Sequence, residues 1–130
     1  MRNTFVIRKD YKEYYRVRLY DDFEGGVTHF ELLYGKEYPH MVGRAYLYYI
    51  ENGDIIEDRI YGLIEDIHIK KEHRGKRLGN DIVRLMIDKA KDYGCYKVIA
   101  TSRFEREYVH KFYEDLGLKK WGYEFRIDLE

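Results

Sequence analysis

The chain is poor in the features that staple or stiffen a fold. Its 130 residues include one cysteine, Cys95, and one proline, Pro39. A lone thiol excludes an internal disulfide framework and a cysteine-based zinc site, and it suits a reducing, cytoplasmic setting. Lysine and arginine total 24, as do aspartate and glutamate, for a formal net charge of +0. That balance removes the whole-molecule field of a polyanion binder, so any attraction for phosphate must come from a local cluster. No stretch approaches the ~20 apolar residues of a membrane helix. The apolar run within Met1–Arg8 is too short for a secretory leader. No membrane partner is therefore expected.

What remains is ample for a core. Hydrophobic residues make up 45% and charged residues 37%, a balance typical of a folded chain rather than a disordered one. The length suits a single domain over residues 1–130 that needs no staples. Tyrosine is abundant at 15 residues, which favours strands.

The pattern of the chain changes half-way. Residues 13–69 read as strands. Val17 and Leu19 alternate with Arg16 and Arg18, Gly25-Gly26 marks a hairpin, and Phe30 and Leu32 share one face of the next run. Val42–Ile50 is a third strand, Asn52-Gly53 a second hairpin signal, and about 56–69 a fourth strand. The sum is an antiparallel meander with no long helix before residue 78. The period then becomes helical: Leu78, Ile82, Leu85, Met86 and Ala90 form one apolar stripe that Gly94 closes. Tyr96–Ala100 reads as a short buried strand. Residues from about 105 to 116 form a second helix, with Val109, Phe112, Tyr113 and Leu116 inward and Gly117 as cap. Trp121–Leu129 closes the chain as one or two strands.

The most informative segment joins strand to helix through Arg74-Gly75-Lys76-Arg77-Leu78-Gly79-Asn80. Such a turn can aim backbone N–H groups outward at a helix N-terminus, which carries about half a positive charge and suits a phosphate. Lys70, Lys71, Arg74, Lys76 and Arg77 add charge at the same place. Taken alone, this segment is equally a solvated basic loop. Its glycine spacing fits neither a Walker loop nor a dinucleotide fingerprint. The balanced net charge argues against a broad nucleic-acid surface.

These residues resemble the pyrophosphate loop of the GNAT superfamily of acetyltransferases, Arg/Gln-x-x-Gly-x-Gly/Ala, with Arg77 standing where glycine is usual. Ile64-Glu65-Asp66-Ile67-His68-Ile69 resembles that family's central strand, whose backbone pairs with the pantetheine arm. Arg106 to Leu118 resembles its second helix, Arg-x-x-Ala-His-x-Phe-Tyr-x-x-x-Gly-Phe, with Val109 and Leu118 as departures. The Ile-Glu-Asp-Ile strand and Tyr93-Gly94-Cys95-Tyr96-Lys97 are also similar to glucosamine-6-phosphate N-acetyltransferases. The resemblance covers roughly residues 60–129. It implies an α+β fold, a mixed and mostly antiparallel central sheet flanked by helices, here with a strand-rich N-terminal half. It also implies acetyl-CoA as co-substrate, held by Ile67, His68 and Ile69 of the strand and by Arg74, Gly75, Lys76, Arg77, Leu78, Gly79 and Asn80 of the turn. Residues 1–60 depart from the family, which places two helices after its first strand to wall the acceptor site.

Acetyl transfer to an amine needs a base, because an alkyl amine with a pKa near ~10 is mostly protonated at neutral pH. Glu65 is the candidate base. By strand alternation it shares a face with Leu63 and Ile67, while Asp66 and His68 share the other. The alternative for Glu65 is a structural ion pair. Tyr113 is the candidate acid, since the family's tyrosine at this place lies beside the thioester sulfur and a phenol can protonate a departing thiolate. Its alternative is a core tyrosine beside Phe112 and Leu116. Cys95 reads as core. The five histidines show no metal-ligand spacing, and no metal is expected. The partners expected are an amine, either a small molecule or a protein amine, and a second copy of the chain as a homodimer. Rival readings are a CoA-binding module without catalysis and, further off, a nucleic-acid-binding protein.

Overall fold

A computed structural model describes residues 2–9, 13–53 and 58–130. They form two compact units, Met1–Ala100 and Thr101–Glu130. In the first, five strands follow one another as an antiparallel meander: β1 (Arg2–Lys9), β2 (Tyr14–Asp22), β3 (Val27–Tyr34), β4 (His40–Gly53) and β5 (Asp58–Ile69). A 3₁₀ turn (Lys71–His73) leads to helix α1 (Leu78–Tyr93), and β6 (Val98–Ala100) then lies parallel to β5. The sheet order is the chain order, β1 to β6. Between residues 13 and 53 there is no helix, as the alternation predicted. The turn after Asn52-Gly53 lies outside the described residues, but the strands it joins pair antiparallel from Gly53↔Asp58 onward. Strand β1 escaped the sequence reading because Asn3–Ile7 alternates too weakly to stand out.

Alternation sorts the sheet into two faces. Tyr15, Val17 and Leu19 of β2 lie opposite Tyr34, Leu32 and Phe30 of β3, and Phe30 lies opposite Ala45 of β4. With Leu47 and Ile64 they make the buried face. Helix α1 covers it with Leu78, Ile82, Val83, Met86 and Ala90. Val83 takes the buried place expected of Leu85, which is only half-buried. Close approach of the helix needs Gly62, where an added Cβ would stand 3.0 Å from Leu47 Cδ1 and 3.6 Å from Ala90 Cβ. Polar groups lock the far end of α1. Lys89 meets Asp21 at 3.0 Å, and Thr28 Oγ1 donates to Asp21 at 2.6 Å. Tyr49 shares a 2.7 Å hydrogen bond with Thr28 and stacks on Tyr93 at 4.1 Å. Burial pushes the Tyr49 phenol up to about 12.

Both glycine-ended helices close as expected. At α1 the Gly94 N–H donates to Lys91 O and the Cys95 N–H to Ala90 O, with Gly94 at φ 93. In the second unit α2 (Glu107–Asp115) repeats the pattern at Gly117. Residues 118–130 correct the sequence reading: no strand is present there, because among the described residues they find no ladder partner.

Candidate functional site

Strand β5 holds the first part of the site. Its pairing with β6 covers only Gly62, Leu63 and Ile64. From Glu65 to Ile69 that edge of β5 has no neighbouring strand among the described residues, so backbone donors and acceptors are left for another partner. On the other edge the register slips: Tyr46 lies opposite Glu65 but Arg44 opposite His68. Asp66 is the extra residue, in a left-handed conformation at φ 52, which an aspartate tolerates better than most side chains.

This bulge changes the expected faces. Arg44 and Tyr46 are two apart and share a face, so their partners His68 and Glu65 share it too. Simple alternation had put Glu65 with Ile67 and apart from His68. The inserted Asp66 reverses the sense of the strand beyond it, so Glu65 joins Leu63 and His68, while Ile67 turns to the α1 side. Glu65 is half-buried and makes no ion pair among the described residues. Beside it lies a hollow of about 460 Å³ lined by Gly25, Gly26, Tyr48, Leu63, Glu65 and Asp66 among others. A second hollow of about 270 Å³ on this side of the sheet is lined by Tyr20, His29, Glu31, Met41, Arg44 and Tyr46 among others. Tyr20, His29, Tyr46 and Tyr48 form a chain of ring contacts across β2, β3 and β4, at 5.7, 5.1 and 6.2 Å. Glu31 accepts two hydrogen bonds from Arg18, at 3.0 and 3.2 Å. Arg44, also opposite Glu31, is exposed and carries no ion pair among the described residues.

The turn into α1 holds the second part. Lys70 N–H donates to Val42 O at 2.8 Å and Arg74 Nε to Ile69 O at 2.7 Å, which fixes the start of the turn to the strands. Gly75 has φ 79 with no atom within 4 Å of an added Cβ. Arg77 has φ 61 and ψ 21. That is the left-handed region glycine prefers, which gives a physical reason for the glycine usual there. No side chain caps α1. Its first intrahelical bond at this end runs from Asp81 N–H to Arg77 O at 3.3 Å, so the amides of Leu78, Gly79 and Asn80 remain for an anion. Leu78 is buried, so only its backbone can face a ligand.

The five cations of the turn divide in a way the sequence did not show. Lys76 is tied to Glu13, 63 positions away. This pair holds the Glu13 carboxyl below and the Lys76 ammonium above their usual values. Beside them the buried Tyr15 hydroxyl meets His73 Nδ1 at 2.7 Å, and Tyr34 lies 4.8 Å from the His73 ring. Burial, then the nearby Lys76 charge, lowers the His73 pKa, and burial raises that of Tyr15. Glu13, Tyr15 and Tyr34 thus brace the turn, and no local pattern could have found residues so far apart in the chain.

Tyr113 belongs to the second unit. It lies on the stripe of α2 that carries Val109, Phe112 and Leu116, its ring 5.2 Å from that of Phe112. Its carbonyl accepts the Leu118 N–H that closes the helix. His110 Nε2 lies 2.8 Å from Arg103 O. Cys95 is half-buried and burial raises its pKa, which leaves little thiolate at neutral pH. Among the described residues no three His, Cys, Asp or Glu side chains gather to hold a metal, and no helix is long and apolar enough to cross a membrane.

Residues 3–118 match the acetyltransferase (GNAT) family. The chain belongs to the GNAT family of N-acetyltransferases. It is 31% identical to glucosamine 6-phosphate N-acetyltransferase of Candida albicans over 111 residues, 80% of this chain and 72% of that enzyme. To the Arabidopsis thaliana enzyme of the same name it is 40% identical over 57 residues, 44% of this chain and 36% of the relative's length. The solved structure of a Trypanosoma brucei acetyltransferase superposes with a TM-score of 0.72 at 27% identity, covering 82% of this chain and 72% of that one. GNAT enzymes use acetyl-CoA. In this GNAT chain the uncapped α1 end, the positive φ of Gly75 and Arg77 and the bare edge of β5 fit a pyrophosphate and an extended amide-bearing arm.

Proposed function

We propose that this chain moves an acetyl group from acetyl-CoA to a primary amine by direct attack within a ternary complex, as a single domain over residues 1–130. The observation that carries the reading is the N-terminus of α1, whose free amides follow two left-handed residues and two exposed cations, Arg74 and Arg77. In this reading the backbone of Arg74, Gly75, Lys76, Arg77, Leu78, Gly79 and Asn80 receives the pyrophosphate, and Ile67, His68 and Ile69 offer the unpaired edge of β5 to the pantetheine amides. Lys76, held by Glu13, shapes the turn rather than reaching for phosphate. Acetyl-CoA supplies the thioester carbonyl that the amine attacks. As the new C–N bond forms and the C–S bond breaks, Glu65, directly or through a water, takes the ammonium proton. Tyr113 gives its phenolic proton to the departing sulfur.

The acceptor in this reading is a small amine that also carries an anionic group. The face that holds Glu65 also holds Arg44, without an ion pair among the described residues, directly opposite His68, while Glu31 is already engaged by Arg18. The names of the Candida and Arabidopsis relatives point to a phosphorylated amino sugar. The homodimer, too, belongs to this reading.

Calorimetric titration with CoA tests the carrying observation. The wild type should bind, and a folded Gly79→Phe variant should lose most of that affinity, because a bulky side chain in the first turn blocks the approach of the diphosphate. Unchanged affinity in that variant would move the pyrophosphate away from α1.

A further inference from the structure

The acetyl-transfer reading leaves a polar set behind the turn into α1 without a task. Tyr15 of β2 is fully buried, yet its hydroxyl reaches the 3₁₀ turn that precedes α1 and meets His73 Nδ1 at 2.7 Å. Lys76 Nζ lies 6.0 Å from the centre of the Tyr15 ring and bears on the same hydroxyl, while its ion pair with Glu13 holds it in place. Tyr34 of β3 packs on both partners, 5.0 Å from the Tyr15 ring and 4.8 Å from the His73 ring. His40, at the start of β4, lies edge-on to Tyr34 at 5.9 Å. The two anchored residues of the turn, His73 and Lys76, flank Arg74 and Gly75. An added Cβ at Gly75 would meet nothing within 4 Å, so the glycine contributes no packing of its own. The hold on this stretch comes from its two ends.

Donor and acceptor chemistry gives the set a direction. An ammonium has donors and no acceptor, so Lys76 can only donate, to the Glu13 carboxylate and toward the Tyr15 oxygen. The one proton of the Tyr15 hydroxyl then goes to the acceptor at 2.7 Å, His73 Nδ1. That nitrogen must be bare, which places the proton of the neutral ring on Nε2. The order is Glu13, Lys76, Tyr15, His73. A proton added at Nδ1 would set two donors against each other. The groups that face His73 are Tyr15 of β2, Tyr34 of β3, His40 of β4, Glu13 and, in the turn itself, Lys70, Glu72 and Lys76. Burial and then the Lys76 charge lower the His73 pKa, with His40 and Lys70 acting in the same sense and Glu72 against them.

We infer that Tyr15 is a positioning residue for the coenzyme: its hydroxyl, approached by Lys76 and donating to a neutral His73, holds residues 73–76 in the conformation that receives the diphosphate. The inference rests on the acetyl-CoA reading for its ligand. The proton arrangement is a property of the chain alone.

Heteronuclear NMR of the histidine rings in the free chain, with calorimetry against CoA, tests it. In the wild type His73 should be neutral at neutral pH with its proton on Nε2, and should titrate below the usual histidine value. The Tyr15 donation is then complete above that usual value and is lost as pH falls through the lowered one. Tyr15→Phe keeps the ring and removes the hydroxyl. It should move the His73 titration upward and weaken CoA binding about tenfold, the worth of one buried hydrogen bond. Lys76→Met should do the same, and the double variant should bind CoA no more weakly than either single one, because both changes break one chain of contacts. His73→Asn, whose amide oxygen can accept in place of Nδ1, should keep most of the affinity. A wild-type His73 protonated on Nδ1, or a titration that neither variant moves, overturns the proton arrangement. Losses of CoA affinity that add in the double variant would make Lys76 a phosphate contact and overturn the positioning role. So would an unchanged CoA affinity with a lowered melting temperature, the mark of packing alone. A wild type that binds no CoA overturns the coenzyme reading and the positioning role with it, whereas the histidine signals still decide the proton arrangement.

Discussion

The two faces of the sheet in the first unit are built from similar residue types put to different uses. On the α1 side, tyrosines are engaged: Tyr15 is buried against His73, and Tyr49 bonds Thr28 and stacks on Tyr93. Around them Val17, Phe30, Leu32, Leu47 and Ile64 close on α1. On the other side, Tyr20, Tyr46 and Tyr48 line shallow hollows together with His29, Arg44 and Glu65. The hairpin Phe23–Gly26 turns directly from β2 to β3, where the family resemblance implies helices. One face therefore specifies the fold, and the other is the face on which we propose that the acceptor binds. The turn from Arg74 to Asn80, proposed to receive the pyrophosphate, stands at the border, where β5 gives way to α1.

The largest expected contrast lies between the faces themselves. Phe30→Ala on the α1 side should cost about 3–5 kcal/mol of stability, since a fully buried ring leaves a cavity under the helix. Tyr48→Ala on the other side should cost about 1 kcal/mol or less and should instead raise the KM for the acceptor. Denaturant unfolding of both variants, with acceptor kinetics on Tyr48→Ala, measures this. Comparable losses of stability would erase the distinction.

Tyr113→Phe should lower turnover by about 10²–10⁴-fold while acetyl-CoA binding stays nearly intact, because one hydroxyl is removed and the ring beside Phe112 is kept. The deficit should shrink with an acyl donor whose thiol has a lower pKa, since a stabler thiolate needs less help from an acid. An equal loss with both donors would leave Tyr113 a positioning role only.

The smallest effect tests the border. Arg77→Gly should stabilise the chain by about 1 kcal/mol, by relieving a left-handed conformation that costs a side-chain-bearing residue roughly that much. Thermal unfolding reads the shift. A destabilised variant would show that Arg77 makes a contact worth more than its strain.

Much of this was legible in the chain. The meander, the helical stripe of α1, the two glycine-closed helix ends and the turn from Arg74 to Asn80 each depend on local period or local backbone conformation, which short stretches of sequence encode. Two site features were not legible. The bulge at Asp66 hides in an ordinary alternation, because one left-handed residue shifts the register without changing the composition. As a result the faces of Ile67 and His68 were exchanged. The Glu13–Lys76 and Tyr15–His73 contacts join residues about sixty positions apart, 63 and 58, and depend on the sheet register rather than on any motif. At the C-terminus the alternation of Trp121–Leu129 suggested strands that the structure does not contain among the described residues, because a ladder needs a partner that a local pattern cannot name.

The central claim, acetyl transfer to an amine, is tested most directly by thiol release from acetyl-CoA across a panel that includes glucosamine and glucosamine 6-phosphate. Amine-dependent release of one thiol per acetylated amine is expected, with the phosphorylated sugar preferred through a lower KM that Arg44→Gln removes. Equal use of the two sugars would remove the anionic acceptor and keep the transferase. CoA binding without amine-dependent thiol release from any of the panel would contradict the claim and make the chain a coenzyme-binding module.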